Sequence, residues 1–476
     1  MSDRYQSPFG GRYGSREMQR IFSPQSRFTT WRRLWLALAE AQAELGLEIG
    51  EAQLDELRAH VNDLNLEVAE RYERELRHDV MAHIRAYADQ CPLAGPILHL
   101  GATSCYVGDN TELILMRDAL DLLSAKLVRI IGVLADFAEN YSDLPCLGYT
   151  HFQAAQPTTV GKRATLWLQD FILDYEELKR FRDWLPLLGS KGTTGTQASF
   201  LELFDGDAER VLELDRQIAR RMGFPRVIDV SGQTYTRKID SRLLDLLSGI
   251  AQSAAKFSND IRLLQHLHEV EEPFGRQQVG SSAMAYKRNP MRSERIAGIS
   301  RYIMTLPLNA ALTVAGQWFE RTLDDSSNRR VTIPEGCLAT DAVLDLVINV
   351  AGGLVVHEPV IRRNLDAELP FMATEALLMD GVRAGGDRQL LHERIRVHSM
   401  AAAERVRTGD GTNDLLERLE ADPDFPMTAA GLAAALDPRR FVGLAPQQTR
   451  DYLARVVRPL LATAGPVDIG SSDITI

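Results

Sequence analysis

Only four cysteines occur in 476 residues. Cys91, Cys105, Cys146 and Cys337 stand far apart in the chain, a distribution that makes neither a zinc spacing nor a dense disulfide framework, so a cytoplasmic protein is the economical reading. No uninterrupted apolar run of about 18 residues is present, and the opening MSDRYQSPFGGRYGSREMQRIF carries charge early without an apolar h-region. Neither membrane spanning nor secretion is expected. GxGxxG and GxxxxGK[ST] are both missing, which removes the usual argument for a dinucleotide or ATP fold, and without HExxH or comparable ligand spacing no metal site is expected. With 34 Gly and 20 Pro the chain is too poor in both for fibrous or disordered sequence. The 54 Lys and Arg against 65 Asp and Glu leave a formal net charge of -11. That balance repels a polyanion, so nucleic acid is not an expected partner, but a small anion in a locally basic cleft is not excluded.

What is present is helical periodicity. Leu113, Met116, Leu120, Leu123, Leu127, Ile130, Leu134 and Phe137 repeat in steps of three and four, which no strand can use. Leu243, Leu247, Ile250, Ala254, Phe257, Ile261 and Leu264 do the same. Pro157 at a first-turn position predicts the start of a third long helix containing Val160, Ala164, Trp167, Phe171 and Leu178. Further helical stretches are expected over about 291–315 and 336–353. Five long helices imply an all-α bundle, and a plain coiled-coil rod is disfavoured by the long polar loops between them. Before the bundle, Thr29 or Thr30 is expected to cap a helix through WRRLWLALAEAQAELG that ends at Gly46. The chain divides into an N-terminal helical domain over 1–104, a central bundle over 105–356 and a C-terminal helical domain over 357–476.

The segment HLGATSCYVGDNT at 99–111 reads as a loop, and four more segments flank the long helices with reactive or anion-binding groups: THFQAAQPTT at 150–159, GSKGTTGTQAS at 189–199, GRQQVGSSAMAYKRNPMRSER at 275–295 and WFERTLDDSSNRR at 318–330. Such loops are costly to order unless packing or ligand ties them down. Lys287 and Arg288 beside the Gly280-Ser281-Ser282 turn can stabilise an oxyanion, but Ser281 needs strong acidification before it can serve as a base. His151 can supply a proton near neutral pH, and His78 lies between Arg77 and Asp79. Arg12, Arg77, Lys287, Arg295, Arg321 and Arg330 are enough cations for two carboxylates and a phosphate despite the acidic total.

Gly280, Ser281, Met284, Lys287 and Asn289 stand at the offsets of the glycine-serine signature of the fumarase/aspartase superfamily, which the chain resembles. TSCYVGDNT at 103–111, KGTTGTQASF at 191–200, YKRNPMRSER at 286–295, QWFERTLDDSSNRR at 317–330, RHDVMAH at 77–83 and ELPFMATE at 368–375 are similar to its adenylosuccinate lyase branch, the part that includes the animal enzymes. The resemblance implies an all-helical, three-domain subunit in a homotetramer with shared active sites and no cofactor. It implies anti β-elimination of fumarate from succinylated purine-pathway nucleotides: adenylosuccinate, giving AMP, and succinylaminoimidazole-carboxamide ribotide, giving its carboxamide.

By that resemblance Ser281 is the base, His151 the acid, and Lys287 the cation at the developing carboxylate charge. Arg12 and Tyr13 match nucleotide contacts; Arg77, His78 and Asp79 match a cluster near the phosphate and the catalytic histidine. Thr103 and Ser104 match the succinyl-binding turn, and Thr150 and Thr193 fall in neighbouring substrate loops. Gln233, Asn289 and Arg295 match further binding positions, and Arg321, Ser326 and Arg330 the segment that receives the nucleotide end. Ala154 and Ala285 stand where the family usually has proline, so each loop is expected to be costlier to order. Two alternatives stay open: another fumarate-releasing lyase of the superfamily, such as argininosuccinate lyase, and a non-catalytic helical scaffold.

Overall fold

The computed structural model describes residues 5–275, 277–409 and 411–466. All three apolar stripes point inward. From Leu113 to Leu134 every member of the first is fully buried, and Phe137 is 8% exposed. At about 1.5–3 kcal/mol for each large side chain removed from water, these stripes account for why the helices assemble. The five long helices are Ser104–Asn140, Val160–Trp184, Lys238–His266, Met291–Ala315 and Asp324–Gly352. The 238–266 and 291–315 helices run against each other, as do the 104–140 and 160–184 helices. Gly161 permits the second pairing, since a Cβ there would lie 2.7 Å from Ser142 Cα. One apolar core runs from Met18 to Val457, and a separate smaller one gathers residues between Leu377 and Ala435. The fold is all-α with a long central bundle; its strands, among the described residues, form two short antiparallel pairs, Pro145–Thr150 with Gln153–Thr159 and Val270–Glu271 with Val355–Val356.

Several expected boundaries move. Helix Pro24–Glu44 starts before Thr29: Ser23 Oγ accepts from Ser26 N at 3.2 Å and Pro24 occupies the first turn. Thr30 instead lies inside the helix, its hydroxyl donating to Ser26 O at 2.8 Å. Gly46 does follow the end, at φ +95°. Pro157 is a strand residue, and the helix after it begins at Val160 with Thr159 as its cap. The 99–111 segment is loop only to Thr103. Helix 324–352 carries Pro334 internally, so a reading that treats proline as a breaker starts it too late.

All four cysteines are free and buried. No helix among the described residues is long and apolar enough to cross a membrane. Two histidines are packed as neutral rings. His83 stacks on Phe28 at 3.8 Å between ring centres, and His99 Nδ1 accepts from Trp35 Nε1 at 2.9 Å. Burial pushes both imidazoles from 6.5 down to about 4. In between, the unfolded chain binds protons that the folded one refuses, so stability is full above about pH 6.5 and falls as pH drops toward 4. The urea midpoint is expected to fall from about pH 7 to about pH 5, and His83→Phe to fall less over the same range.

Candidate active site

A cavity of about 750 Å³ opens where the starts of three helices meet the 231–237 segment. Helix Asp79–Ala88 contributes its first turn. His78 is the N-cap, its Nδ1 accepting from Met81 N at 3.4 Å. Its Nε2 faces Ser104 Oγ at 3.4 Å, in the first turn of the 104–140 helix. Thr103 caps that helix, and Cys105 donates its S–H to Gln233 Oε1 at 3.3 Å. Gln233 Nε2 in turn donates to Thr193 O at 3.1 Å, tying the glycine-rich 189–197 loop to the rim. The 324–352 helix places Ser326 and Arg330 four residues apart, on one face turned to the cavity. These two residues are helical rather than in a loop.

Most of the cavity's charges are paired. Arg330 meets Asp79 at 2.9 Å, Arg27 meets Glu112 at 2.7 Å, and Arg321 meets Asp325 at 2.8 Å. Arg77, at φ +52°, lines the wall without any carboxylate partner among the described residues. Through the wall runs an ionic network that the sequence reading missed, with Asp109 and Arg329 lining the cavity themselves. Arg237 bridges Asp109 at 2.8 Å and Asp325 at 2.6 Å; Arg329 holds Asp240 at 2.6 Å and receives Tyr235 Oη as a close neighbour. Burial opposes ionisation of Asp325, yet Arg237 and Arg321 hold its carboxyl below the usual range. A signal did exist: Asp109 lies one turn before Leu113 on the buried stripe, where a carboxylate requires a cation.

His151 and Ser281 are not among the residues that line this cavity. Thr150 pairs with Gln153, leaving His151 and Phe152 as the two-residue tip of the 145–159 hairpin, at φ +53° and +57°. Both positions favour Asn or Gly, so the tip holds an exposed imidazole in a backbone conformation that costs about 1–3 kcal/mol per residue. Ser281 Oγ accepts from Met284 N at 3.1 Å and Ala283 N at 3.3 Å. Two amide donors are what an alkoxide needs to become accessible. Asn289 Nδ2 closes the loop onto Gly280 O at 2.7 Å, and Lys287 is exposed. A third cluster forms at the N-terminus, where Arg12 lies 5.9 Å and Arg295 5.4 Å from the Tyr13 ring centre. Thus Arg77, His78, Asp79, Ser104, Gln233, Arg321, Ser326 and Arg330 share one cavity. Arg12, Tyr13, Thr103, Thr150, His151, Thr193, Ser281, Lys287, Asn289 and Arg295 do not line it.

Met284–Lys287 form a turn closed by Lys287 N donating to Met284 O at 3.0 Å. Ala285 is its second residue, where proline fits well. Ala285→Pro is expected to slow hydrogen exchange across 281–287 and to stabilise by about 0.4–1 kcal/mol. Unchanged exchange with native structure would make Ala285 a neutral replacement. No group of three or more His, Cys, Asp or Glu among the described residues is arranged to hold a metal ion.

Comparison with known proteins places this arrangement. A profile described as "Lyase" matches residues 16–305, and one described as "Adenylosuccinate lyase C-terminus" matches 370–452. The chain is 49% identical over 462 residues to the adenylosuccinate lyase of Saccharomyces cerevisiae, covering 96% of each chain. It is 44% identical to that of Schistosoma mansoni, covering 100% of this chain and 99% of the relative. Its fold superposes on the crystal structure of a fumarate lyase from Mesorhizobium sp. BNC1 with a TM-score of 0.78 at 25% identity, covering 96% of this chain and 100% of that one. With both halves of the chain matched and full-length identity near one half, this protein belongs to the adenylosuccinate lyase family of the fumarase/aspartase superfamily.

Proposed function

We propose that this protein is a carbon–nitrogen lyase that eliminates fumarate from adenylosuccinate, leaving AMP, and from succinylaminoimidazole-carboxamide ribotide, leaving the carboxamide ribotide. The observation that carries this reading is the cavity of paired and unpaired cations around His78, Ser104, Arg321 and Arg330, of a size and charge suited to an anionic nucleotide. In the reaction the Ser281 alkoxide takes a proton from the succinyl carbon beside a carboxylate. The electron pair left on that carbon forms the double bond of fumarate as the C–N bond breaks, and protonated His151 gives its proton to the departing nitrogen. Two amide N–H groups on Ser281 Oγ favour the alkoxide, and Lys287 meets the charge that builds on the carboxylate. Arg12, Tyr13, Arg77, Asp79, Thr103, Thr150, Thr193, Gln233, Asn289, Arg295 and Ser326 belong to the same reading as substrate contacts.

Since His151 and Ser281 are remote from the cavity's lining in one subunit, the reading requires a homotetramer in which each site draws on several chains. Supporting it, Leu308 and Leu312 are 69% and 66% exposed on the 291–315 helix and Val331 is 58% exposed on the 324–352 helix, an apolar surface awaiting cover. The division at 104/105 and 356/357 and a cytoplasmic location complete the reading. The experiment is an absorbance assay on both succinylated nucleotides, with argininosuccinate, malate and aspartate in parallel. Turnover of the nucleotides alone is expected; turnover of argininosuccinate instead moves the protein to another fumarate-releasing lyase. Mixing inactive Ser281→Ala and His151→Ala subunits under reversible reassociation is expected to restore activity, and an active monomer would contradict shared sites.

A further inference from the structure

Outside the cavity, the side chains of one four-residue stretch reach both the hairpin that carries His151 and the loop that carries Ser281. Residues 269–272 follow the 238–266 helix after His268 reverses the chain at φ +57°. The stretch is locked from both sides. Glu269 N donates to Leu264 O at 3.0 Å, Glu269 O accepts from His357 N at 2.9 Å, and Val270 and Glu271 pair with Val356 and Val355.

Its side chains diverge to the two loops. Glu269 is fully buried; Oε1 accepts from Asn364 Nδ2 at 3.0 Å and faces Tyr149 Oη at 3.5 Å, while Oε2 has no partner. Tyr149 is the strand residue two before His151 and pairs with Ala154 across the hairpin. Glu272 is 3% exposed and caps the helix that closes the Ser281 loop: Oε1 accepts from Arg292 N at 3.0 Å, and Oε2 from Ser293 N at 2.9 Å and Ser293 Oγ at 2.8 Å. Glu272 N donates to Gln265 Oε1 at 3.3 Å, and Gln265 Nε2 donates to Arg288 O at 2.9 Å on the loop itself. Glu271 adds Arg288 at 3.3 Å.

Three carboxylate attachments within four residues, reaching two different loops, exceed what a bundle needs for folding. Burying Glu269 with one oxygen unpaired is a cost that an apolar residue would avoid. We propose that residues 269–272 are a shared anchor, in which Glu269 positions the His151 hairpin through Tyr149 and Glu272 positions the Ser281 loop through the cap of the 291–315 helix. The roles of His151 and Ser281 in this inference rest on the lyase reading. Neither glutamate touches substrate, so both are positioning residues, and because the strand between them is continuous, a displacement at either end moves the other loop.

The chemistry of the two attachments differs, which gives the test its contrast. Glu269 uses one oxygen as an acceptor, so Glu269→Gln keeps that bond, whereas Glu269→Ala removes it. Glu272 accepts with both oxygens, so in Glu272→Gln an amide N–H₂ must face a backbone N–H. In the full-length protein, fumarate release is measured first for the parent; its absence sinks the lyase reading, while hydrogen exchange still tests the anchor. Glu269→Ala and Glu272→Gln are each expected to lower kcat by about 10- to 100-fold, with KM changed far less, at native circular dichroism and oligomer mass. Glu269→Gln is expected to stay within about threefold of the parent. Both impaired variants are expected to exchange faster in both segments, 145–159 and 279–290. Faster exchange in only the loop next to the altered residue overturns the shared anchor, and so does parent-like kcat in Glu272→Gln. If Glu272→Gln fails to fold, Tyr149→Phe with exchange read at 279–290 decides, unchanged exchange there counting against the proposal.

Discussion

Replacement of Ser281 by alanine is expected to lower fumarate release by about 10²–10⁴-fold, and His151→Ala by a similar factor, with helix content and mass in solution unchanged. The expectation for Ser281 rests on its hydrogen bonds. Its oxygen accepts from two backbone amides, and alanine takes away the acceptor without opening a core cavity because Ser281 is only half-buried and residues 282–288 after it are exposed. His151 stands at a hairpin tip where nothing packs on the imidazole tightly enough to make it structural. Turnover of either purified variant close to that of the parent removes the assigned role. His151→Asn is the informative control, since asparagine suits φ > 0 and relieves the turn while still lacking a proton to give. It is expected to be more stable than the parent and as inactive as His151→Ala.

The largest loss of stability is expected at Asp325. Its carboxylate is fully buried between Arg237 and Arg321, so Asp325→Ala leaves Arg237 partly uncompensated in the core and Arg321 free to turn away from the cavity. Removing one partner of such a pair costs about 3–5 kcal/mol. The urea midpoint is expected to fall accordingly, and substrate affinity to weaken in the same variant. Replacing Asp109, Arg237 and Asp325 together by apolar residues, so that no member of the buried relay is left without its partner, separates the two effects: it is expected to recover stability while leaving Arg321 unheld, so that KM stays raised. A recovered KM would show that Arg321 needs no support from Asp325.

The long helices were legible because their stripes are continuous, and an apolar stripe at steps of three and four has one structural solution. Ends were less legible. Thr30 has the chemistry of a cap but sits inside a helix, because Ser23 followed by Pro24 offers a better start. The hairpin at 145–159 was invisible for a different reason: Pro157 belongs equally to a helix start and to a short strand, and only pairing with Leu147 decides between them. Within the cavity, residues next to one another in the chain, such as Arg77, His78 and Asp79, could be grouped from sequence. The Asp109–Arg237–Asp325 relay joins positions more than eighty residues apart, and an isolated acid on an apolar stripe announces a partner without naming it.

The sealed cysteines give the molecule a built-in clock. Cys91, Cys146 and Cys337 are wholly enclosed, and Cys105 lies in the cavity wall, its thiol pushed up by burial to about 12. A thiol reagent added to the folded protein therefore meets almost no reactive sulfur, and the pace at which it consumes the three enclosed groups counts how often the bundle comes apart. Cys105 keeps separate time. Bonded to Gln233 beside the nucleotide-sized cavity, it marks local breathing of that wall, and its slowing when a purine nucleotide is added times occupancy without any turnover at all.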